Sequence, residues 1–347
     1  MTDNLGQKYL EKYSNRVNPL IDNYLKQEIK KTSLLGKVPT ELIEKFAFIV
    51  KRGKKLRGAL VVLGYQIAGG ENLKEINEVS LFIELFQAGI LIHDDIMDRS
   101  EIRRGSSTIH KQYKPLHYGE SMAINAGDLA FYFSMEKLAS TNFLPERLIK
   151  ANKIYTDYIK KVIYGQILDI SNTNINSIKE KDILNIFRYK TAEYTGVLPL
   201  LIGATLAGLE DNNKIQVLKD YGLFLGWAFQ IQDDILGMFG KEKNTGKPVG
   251  DDLREGKITL LVLHLLKHGI PSQIKSLKKV LGKKDLIDKD ILEMQEIFKK
   301  AGSYDYIVKL GYQYVTKGKN LISQLTKNPD TAEVLESLIT FMMERIK

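Results

Sequence analysis

Residues 91–100 read "LIHDDIMDRS", so the carboxylates of Asp94, Asp95 and Asp98 follow directly on the apolar run "SLFIELFQAGILI". Carboxylates carried into an apolar setting need a counter-charge or they take up protons. On a helix Asp94 and Asp98 stand at i and i+4 and project from one face a turn apart, with Asp95 about 100° round. A second stretch, "FQIQDDILG", sets Gln230, Asp233 and Asp234 after another apolar run. Four or five carboxylates gathered at one mouth suit a hard divalent cation. Mg²⁺ takes one or two of them and completes its octahedron with water and phosphate oxygens. The His and Cys spacing of a zinc site is absent. One such pair alone is commonly a solvated helix end. Aspartate at a helix C-terminus opposes the macrodipole, however, and two such pairs beside basic loops point to a metal–phosphate site.

The basic residues supply the other half. "RGKKLRG" carries Lys54 and Arg57; Arg99, Arg103 and Arg104 follow the first acidic cluster; Lys190, Lys247 and Lys257 surround the second. Taken singly, each is an ordinary surface charge. Set beside metal-binding carboxylates, they make a cradle for a diphosphate. Acidic clusters, cations and an apolar shaft behind them imply an apolar substrate with a diphosphate head.

The elements that must position these groups are helices. Only 8 prolines interrupt 347 residues, 44% are hydrophobic, and helical periodicity runs through nearly the whole chain,. "PTELIEKFAFIVKRG" reads as a helix ending near Gly53, and "LKEINEVSLFIELFQAGILIHDD" as a bundle-centre helix, apolar nearly all round,. "IKEKDILNIFRYKTAEYTGVLPLLIGATLAG" is long enough for two helices joined near Pro199. Period-two strand signals are absent. The expected fold is all-α, one large bundle around a deep central cavity and a single domain over 1–347. "SNTNINS" reads as an inter-helix loop, and the Gly- and Lys-rich "GKEKNTGKPVGDDLREGK", residues 240–257, as a mobile lid,. The net charge of +9 has no aromatic-interleaved basic tract behind it, so no nucleic acid is expected,. Cysteine is absent, which rules out disulfides and thiolate sites and fits a reducing compartment,. The start shows no basic-then-apolar leader, and the longest uncharged stretch carries a proline and is too short to span a bilayer,. A cytoplasmic protein without stable membrane insertion is expected.

These residues resemble the trans-prenyl (isoprenyl) diphosphate synthase family, and the resemblance runs through most of the chain. "GKKLR" at 53–57 is similar to its isopentenyl-diphosphate motif, and "DDIMD" at 94–98 with "RRG" at 103–105 to its first aspartate-rich motif. "GQILD" at 165–169, "YKTAEYTG" at 189–196, "FQIQDDILG" at 229–237 and "TGKPVGDDLREGK" at 245–257 follow in the family's order. Six motifs in order are a specific signal.

The resemblance implies a homodimer of helical bundles and a Mg²⁺ cluster, about three ions to a site, on an allylic diphosphate. Asp94, Asp98 and Asp233 would ligate it, with Asp95 and Asp234 as further metal-binding candidates, helped by Arg103, Lys190, Lys247 and Lys257. Departure of diphosphate leaves an allylic carbocation flanked by Lys190, Thr191 and Gln230. Isopentenyl diphosphate, held by Lys54, Arg57, Gln87 and Arg104, then attacks with its double bond. The released diphosphate takes the proton. Gln166 and Asp169 would act behind these groups. The chain departs from the family's pattern at Gly237, where many members have a third Asp, at Gln87, where many have His, and at Arg52 and Gly58, which replace a common Gly and Pro.

The apolar helix before Asp94 should line the product shaft, at about 5.4 Å per turn, close to one isoprene unit. Gly89 leaves the first floor open, Ile90 obstructs in part, and Phe86 and Phe82 are deeper candidate floors; otherwise those two are core aromatics. The expected product is geranylgeranyl diphosphate. Alternatives are a farnesyl product or one of geranylfarnesyl length and above. More distant are a class I terpene cyclase, disfavoured by Lys54, Arg57 and Arg104, and a non-catalytic subunit of a heteromeric synthase.

Overall fold

The computed structural model of the chain describes residues 5–171, 178–242, 246 and 248–346. The helices in order are α1 (Leu5–Ser33), α2 (Lys37–Lys51), α3 (Leu56–Ile67), α4 (Leu73–Met97) and α5 (Leu116–Ala139). Next come α6 (Pro145–Ser171), α7 (Glu180–Ile186), a π-helix (Phe187–Val197), α8 (Leu198–Ala207) and α9 (Asn212–Phe239). Then follow α10 (Asp251–Glu255), α11 (Leu260–His268), α12 (Pro271–Val280), α13 (Asp288–Lys300), α14 (Ser303–Lys319), α15 (Ile322–Leu325) and α16 (Pro329–Glu344). The all-α expectation is met. The described residues form two compact units, one up to Tyr155 with Pro199–Ile215, the other of Thr156–Leu198 with the residues from Gln216 on. The loop expected at "SNTNINS" lies, beyond Ser171, outside the described residues, as do Lys243, Asn244, Thr245 and Lys247 of the expected lid.

In the first unit α4 is the central helix. Asn72 caps it, its side chain accepting from the Glu75 amide at 3.1 Å,. From Val79 to Gly89 every residue is buried. By length and composition α4 could cross a membrane, but it is the core helix of this unit, mostly buried inside it. It packs most extensively against α5. A Cβ at Gly89 would stand 2.8 Å from Ala130 Cβ and from Phe131 Cε1, so the missing side chain is what lets the two helices approach,. Phe82 and Phe86 are wholly buried, edge-on to Tyr155 at ring distances of 5.4 and 5.7 Å.

A short antiparallel ribbon, Ile102–Arg103 with Ser106–Ser107, interrupts the helices directly after α4. Its two-residue turn is Arg104-Gly105, both at positive φ (54° and 73°), the condition of the tight hairpin turn that matches strand twist,. Two residues a strand are too few for period-two patterning to show.

In the second unit the chain from Glu180 runs through the π-helix as far as Leu198, and α8 follows without a helical break at Pro199, where the first unit resumes. Proline supplies no N–H to the carbonyl four residues back. The backbone widens before it instead: the Leu198 amide donates to the Glu193 carbonyl, five residues back,. Small residues let α9 lie on this wide turn. A Cβ on Gly226 would stand 2.5 Å from Ala192 Cα, and one on Gly222 2.8 Å from the Gly196 backbone.

Candidate active site

The first unit delivers one acidic end. α4 stops at Asp98, whose amide closes on the Asp94 carbonyl at 2.8 Å. Asp94 and Asp98 are half-buried at this end, whereas Asp95 is buried. Arg103, on the ribbon, answers them: Nε donates to Asp95 Oδ1 at 2.6 Å and Nη2 to Asp94 Oδ2 at 3.3 Å. Burial by itself would lower the Arg103 pKa, but the Asp95 and Asp94 carboxylates raise it. So Arg103 is bound into the acidic cluster, and Asp95 is committed to it as a buried ion pair.

The same unit carries the cations of "GKKLR". Lys54 and Arg57 are half-buried and Gln87 is buried. Arg104 lies over Gly53, and its guanidinium donates to the carbonyls of Ile49, at 2.8 Å, and Arg52, at the end of α2. Arg52 returns the bond, donating to the Arg104 carbonyl at 2.9 Å and Ser106 Oγ at 3.0 Å, with its guanidinium stacked 3.8 Å over the Phe48 ring. The departure at Arg52 thus ties the ribbon to α2. Gly58 has a comparable reason. Its amide donates to Glu84 Oε1 at 2.9 Å, a bond proline could not make, and a Cβ there would run into the Tyr13 hydroxyl,. Tyr13 in turn shares a 2.6 Å hydrogen bond with Ser80.

Two members of this group escaped sequence reasoning. Glu84 looks like one more core position of a helix apolar all round, yet it is a buried carboxylate facing cations. Lys55 is buried at φ 54° and donates to the Val50 and Arg52 carbonyls. Burial drops its pKa to about 8 against the pull of Glu84, and Arg104 adds to the drop. Burial likewise lowers Arg104 to about 10. Concentrated positive charge with little water is what an anionic head group would relieve.

The second unit holds the other acidic end. On α6 Asp169 accepts from Lys190 Nζ at 2.6 Å, and Gln166 is half-buried one turn earlier. A Cβ at Gly165 would meet the Lys190 backbone, so glycine permits this approach to the π-helix. Thr191 is buried in that helix, where Glu193 accepts from Lys161 and Arg188, each at 2.7 Å. On α9 Gln230 donates to Asp234 Oδ1 at 2.8 Å. Asp233 is more exposed and accepts from Arg345 Nη2 at 2.7 Å. Burial and the Asp252 carboxylate push the Asp234 pKa well up, while the Gln230 bond opposes them. Lys257 pairs with Glu255 at 2.6 Å, and Lys247 lies outside the described residues. Arg345 was missed because it stands far from any motif.

Each acidic end offers carboxylate oxygens reachable from solvent, Asp94 and Asp98 in the first unit and Asp233 in the second, and such donors suit hard divalent cations,. Among the described residues no three such side chains close into a ready-made cage.

The expected role of Gly89 changes. Its open side faces α5, where Phe131 and Ala130 already fill the space, so the glycine opens no room for a chain. Ile90 is half-buried. Phe86 and Phe82 sit among aromatic rings, Phe86 5.5 Å from Phe131.

Comparison with known proteins agrees with this chemistry. A polyprenyl synthetase family model matches residues 39–299. The geranylgeranyl diphosphate synthase of Sulfolobus acidocaldarius is 33% identical over 98% of both chains. The geranylfarnesyl diphosphate synthase of Aeropyrum pernix is 31% identical over 94% of this chain and all of its own. Among solved structures, the geranylgeranyl pyrophosphate synthase of Corynebacterium glutamicum, complexed with isoprenyl diphosphate and magnesium, superposes with a TM-score of 0.91. It is 29% identical and covers 97% of this chain and 99% of its own.

Proposed function

The chain belongs to the polyprenyl synthetase family, and on that premise we propose that it joins isopentenyl diphosphate to an allylic diphosphate and releases geranylgeranyl diphosphate. It is an enzyme, a trans-prenyltransferase of isoprenoid biosynthesis. One observation carries the reading: a mostly buried apolar helix, α4, ends on Asp94 and Asp98 a turn apart, with Arg103 beside them.

In this reading Asp94, Asp98 and Asp233 hold Mg²⁺ against the allylic diphosphate. Mg²⁺ held by these residues would supply positive charge to offset that of the departing diphosphate. Arg103 orients Asp94 and Asp95, and Lys190, Lys247 and Lys257 bind phosphate oxygens. Asp169 fixes the Lys190 ammonium. Thr191 and the widened carbonyls of the π-helix face positive charge on the allyl group, and Gln230 holds Asp234 in place. Lys54, Arg57, Gln87 and Arg104 hold isopentenyl diphosphate, with Lys55 and Glu84 setting the field around it. Once the allylic carbon–oxygen bond has broken, the double bond of isopentenyl diphosphate forms the new carbon–carbon bond to the allylic cation. A proton is then lost to the released diphosphate, so no histidine base is required.

The product reading rests on the geranylgeranyl synthases among the relatives. Phe131, filling the space beside Gly89, is the first stop for the growing chain, with Phe86 and Phe82 deeper. The geranylfarnesyl relatives favour a second reading, one unit longer. Exposed Ile124, Tyr132 and Met135 on α5 suit a homodimer interface, and the protein works in the cytoplasm.

The test is incubation with Mg²⁺, isopentenyl diphosphate and dimethylallyl, geranyl or farnesyl diphosphate, followed by product chain lengths. Arrest at geranylgeranyl is expected. Arrest at geranylfarnesyl selects the second reading, and no elongation with any primer rejects both.

A further inference from the structure

In the second acidic motif the position one turn after Asp233 is Gly237, so α9 lacks the carboxylate that Asp98 supplies one turn after Asp94,. The space is nevertheless taken. A Cβ at Gly237 would lie 3.2 Å from Asp252 Oδ2 and 4.0 Å from its Cγ, and no other residue comes within 4 Å apart from chain neighbours and α9's own backbone. Asp252 stands on α10, whose entry is pinned to this turn of α9: the Gly250 amide donates to the Gly237 carbonyl at 2.8 Å. The end of α10 is held too, the Lys257 amide donating to the Asp252 carbonyl at 2.9 Å and the Gly282 amide to the Leu253 carbonyl at 2.7 Å.

A second observation points to a ligand. Asp234 is only 6% exposed, and its Oδ2 has no hydrogen-bond partner. With Asp252 and Gly237 it lines a small cavity walled by Met238, Val262 and Phe298. Two carboxylates share an apolar pocket in which one carboxylate oxygen is left unanswered, a situation a cation relieves.

We propose that Asp252, from α10, supplies the third carboxylate of the second acidic group in place of the residue missing at Gly237, and helps to hold a divalent cation with Asp233. This rests on the reading of Asp233 as a metal ligand. The motif is then intact in space although broken in sequence. Anchoring a ligand on the segment after the Lys-rich loop also couples the placing of that segment to cation binding.

The experiment is Mn²⁺ binding with inorganic pyrophosphate, followed by the electron paramagnetic resonance of free Mn²⁺, with thermal melts to confirm folding. Asp252→Asn should weaken binding of a cation by about 10-fold or more. Moving the carboxylate back onto α9, in Gly237→Asp/Asp252→Asn, should restore most of that loss. Unchanged affinity in Asp252→Asn, while Asp233→Ala loses a cation, would overturn the inference and leave the metal reading standing. Failure of the folded double variant to recover would also overturn it. Absence of Mn²⁺ binding by the unaltered protein would reject the metal reading and the inference together.

Discussion

Arg345 and Asp233 form a 2.7 Å ion pair although they are 112 residues apart, and the arginine is the more enclosed partner, with a side chain 6% exposed against 41%. The guanidinium also donates to the Phe229 carbonyl at 2.7 Å and lies 4.0 Å over the Phe229 ring, while the Arg345 carbonyl accepts from Gln232 at 2.8 Å. The residue after α16 is thereby fastened to the turn of α9 that bears Asp233, the proposed metal ligand. Asp233 is held in one rotamer with one oxygen engaged.

Arg345→Met should therefore do two things. Losing charge-assisted bonds from a buried donor lowers stability by about 1–3 kcal/mol. Freed Asp233 should at the same time bind Mn²⁺ more tightly in the absence of diphosphate. A urea midpoint and a Mn²⁺ titration both equal to those of the unaltered protein would show that the pair has no influence.

Asp95 and Asp98 should separate cleanly although they are three residues apart. Asp95→Asn takes the closer of two carboxylate partners from Arg103 and should cost about 1–3 kcal/mol of stability,. Asp98→Asn should melt nearly like the unaltered protein and lose about 10²–10³-fold in turnover, the scale of removing an electrostatic stabiliser. A reversal of that pattern would mean that Asp95 and not Asp98 meets the metal.

Phe131 and Phe86 offer the same kind of contrast for product length. Phe131 is half-buried and fills the gap left by Gly89, so Phe131→Ala should shift products to longer chains. Phe86 is a wholly buried core ring, and Phe86→Ala should cost about 3–5 kcal/mol,. Chain-length analysis showing no shift in Phe131→Ala would remove it as a floor.

Lys55 predicts a pH signature. Its amine is held to about 8 in the fold against 10.5 when unfolded. Between those values the unfolded chain binds the extra proton, so stability rises with pH across that window and is unaffected well below 8. Measured as the unfolding free energy of the unaltered protein minus that of Lys55→Met, the difference should climb from pH 8 towards 10.5. A flat difference would place the amine in the ordinary lysine range.

Much of this protein is determined locally. The periodicity that makes α4 a buried helix and the i, i+4 spacing that puts Asp94 and Asp98 on one face are properties of short segments. The order of the six motifs, too, is readable from the chain, and all were legible. Local pattern does not decide which charge answers which. Arg103 turns to Asp95 only because a short ribbon, Ile102 to Ser107, brings it back to the end of α4. Glu84 meets the Gly58 amide, Arg345 meets Asp233, and Asp252 fills the space beside Gly237, each across a separation that no spacing rule covers. Gly89 shows the same limit from the other side: a missing side chain reads as room, and only the packing of α5 reveals that the room is filled. Helices follow from short-range steric and hydrophobic rules. Ion pairs and close packing depend on where separate helices come to rest, and that was decided by the tertiary structure.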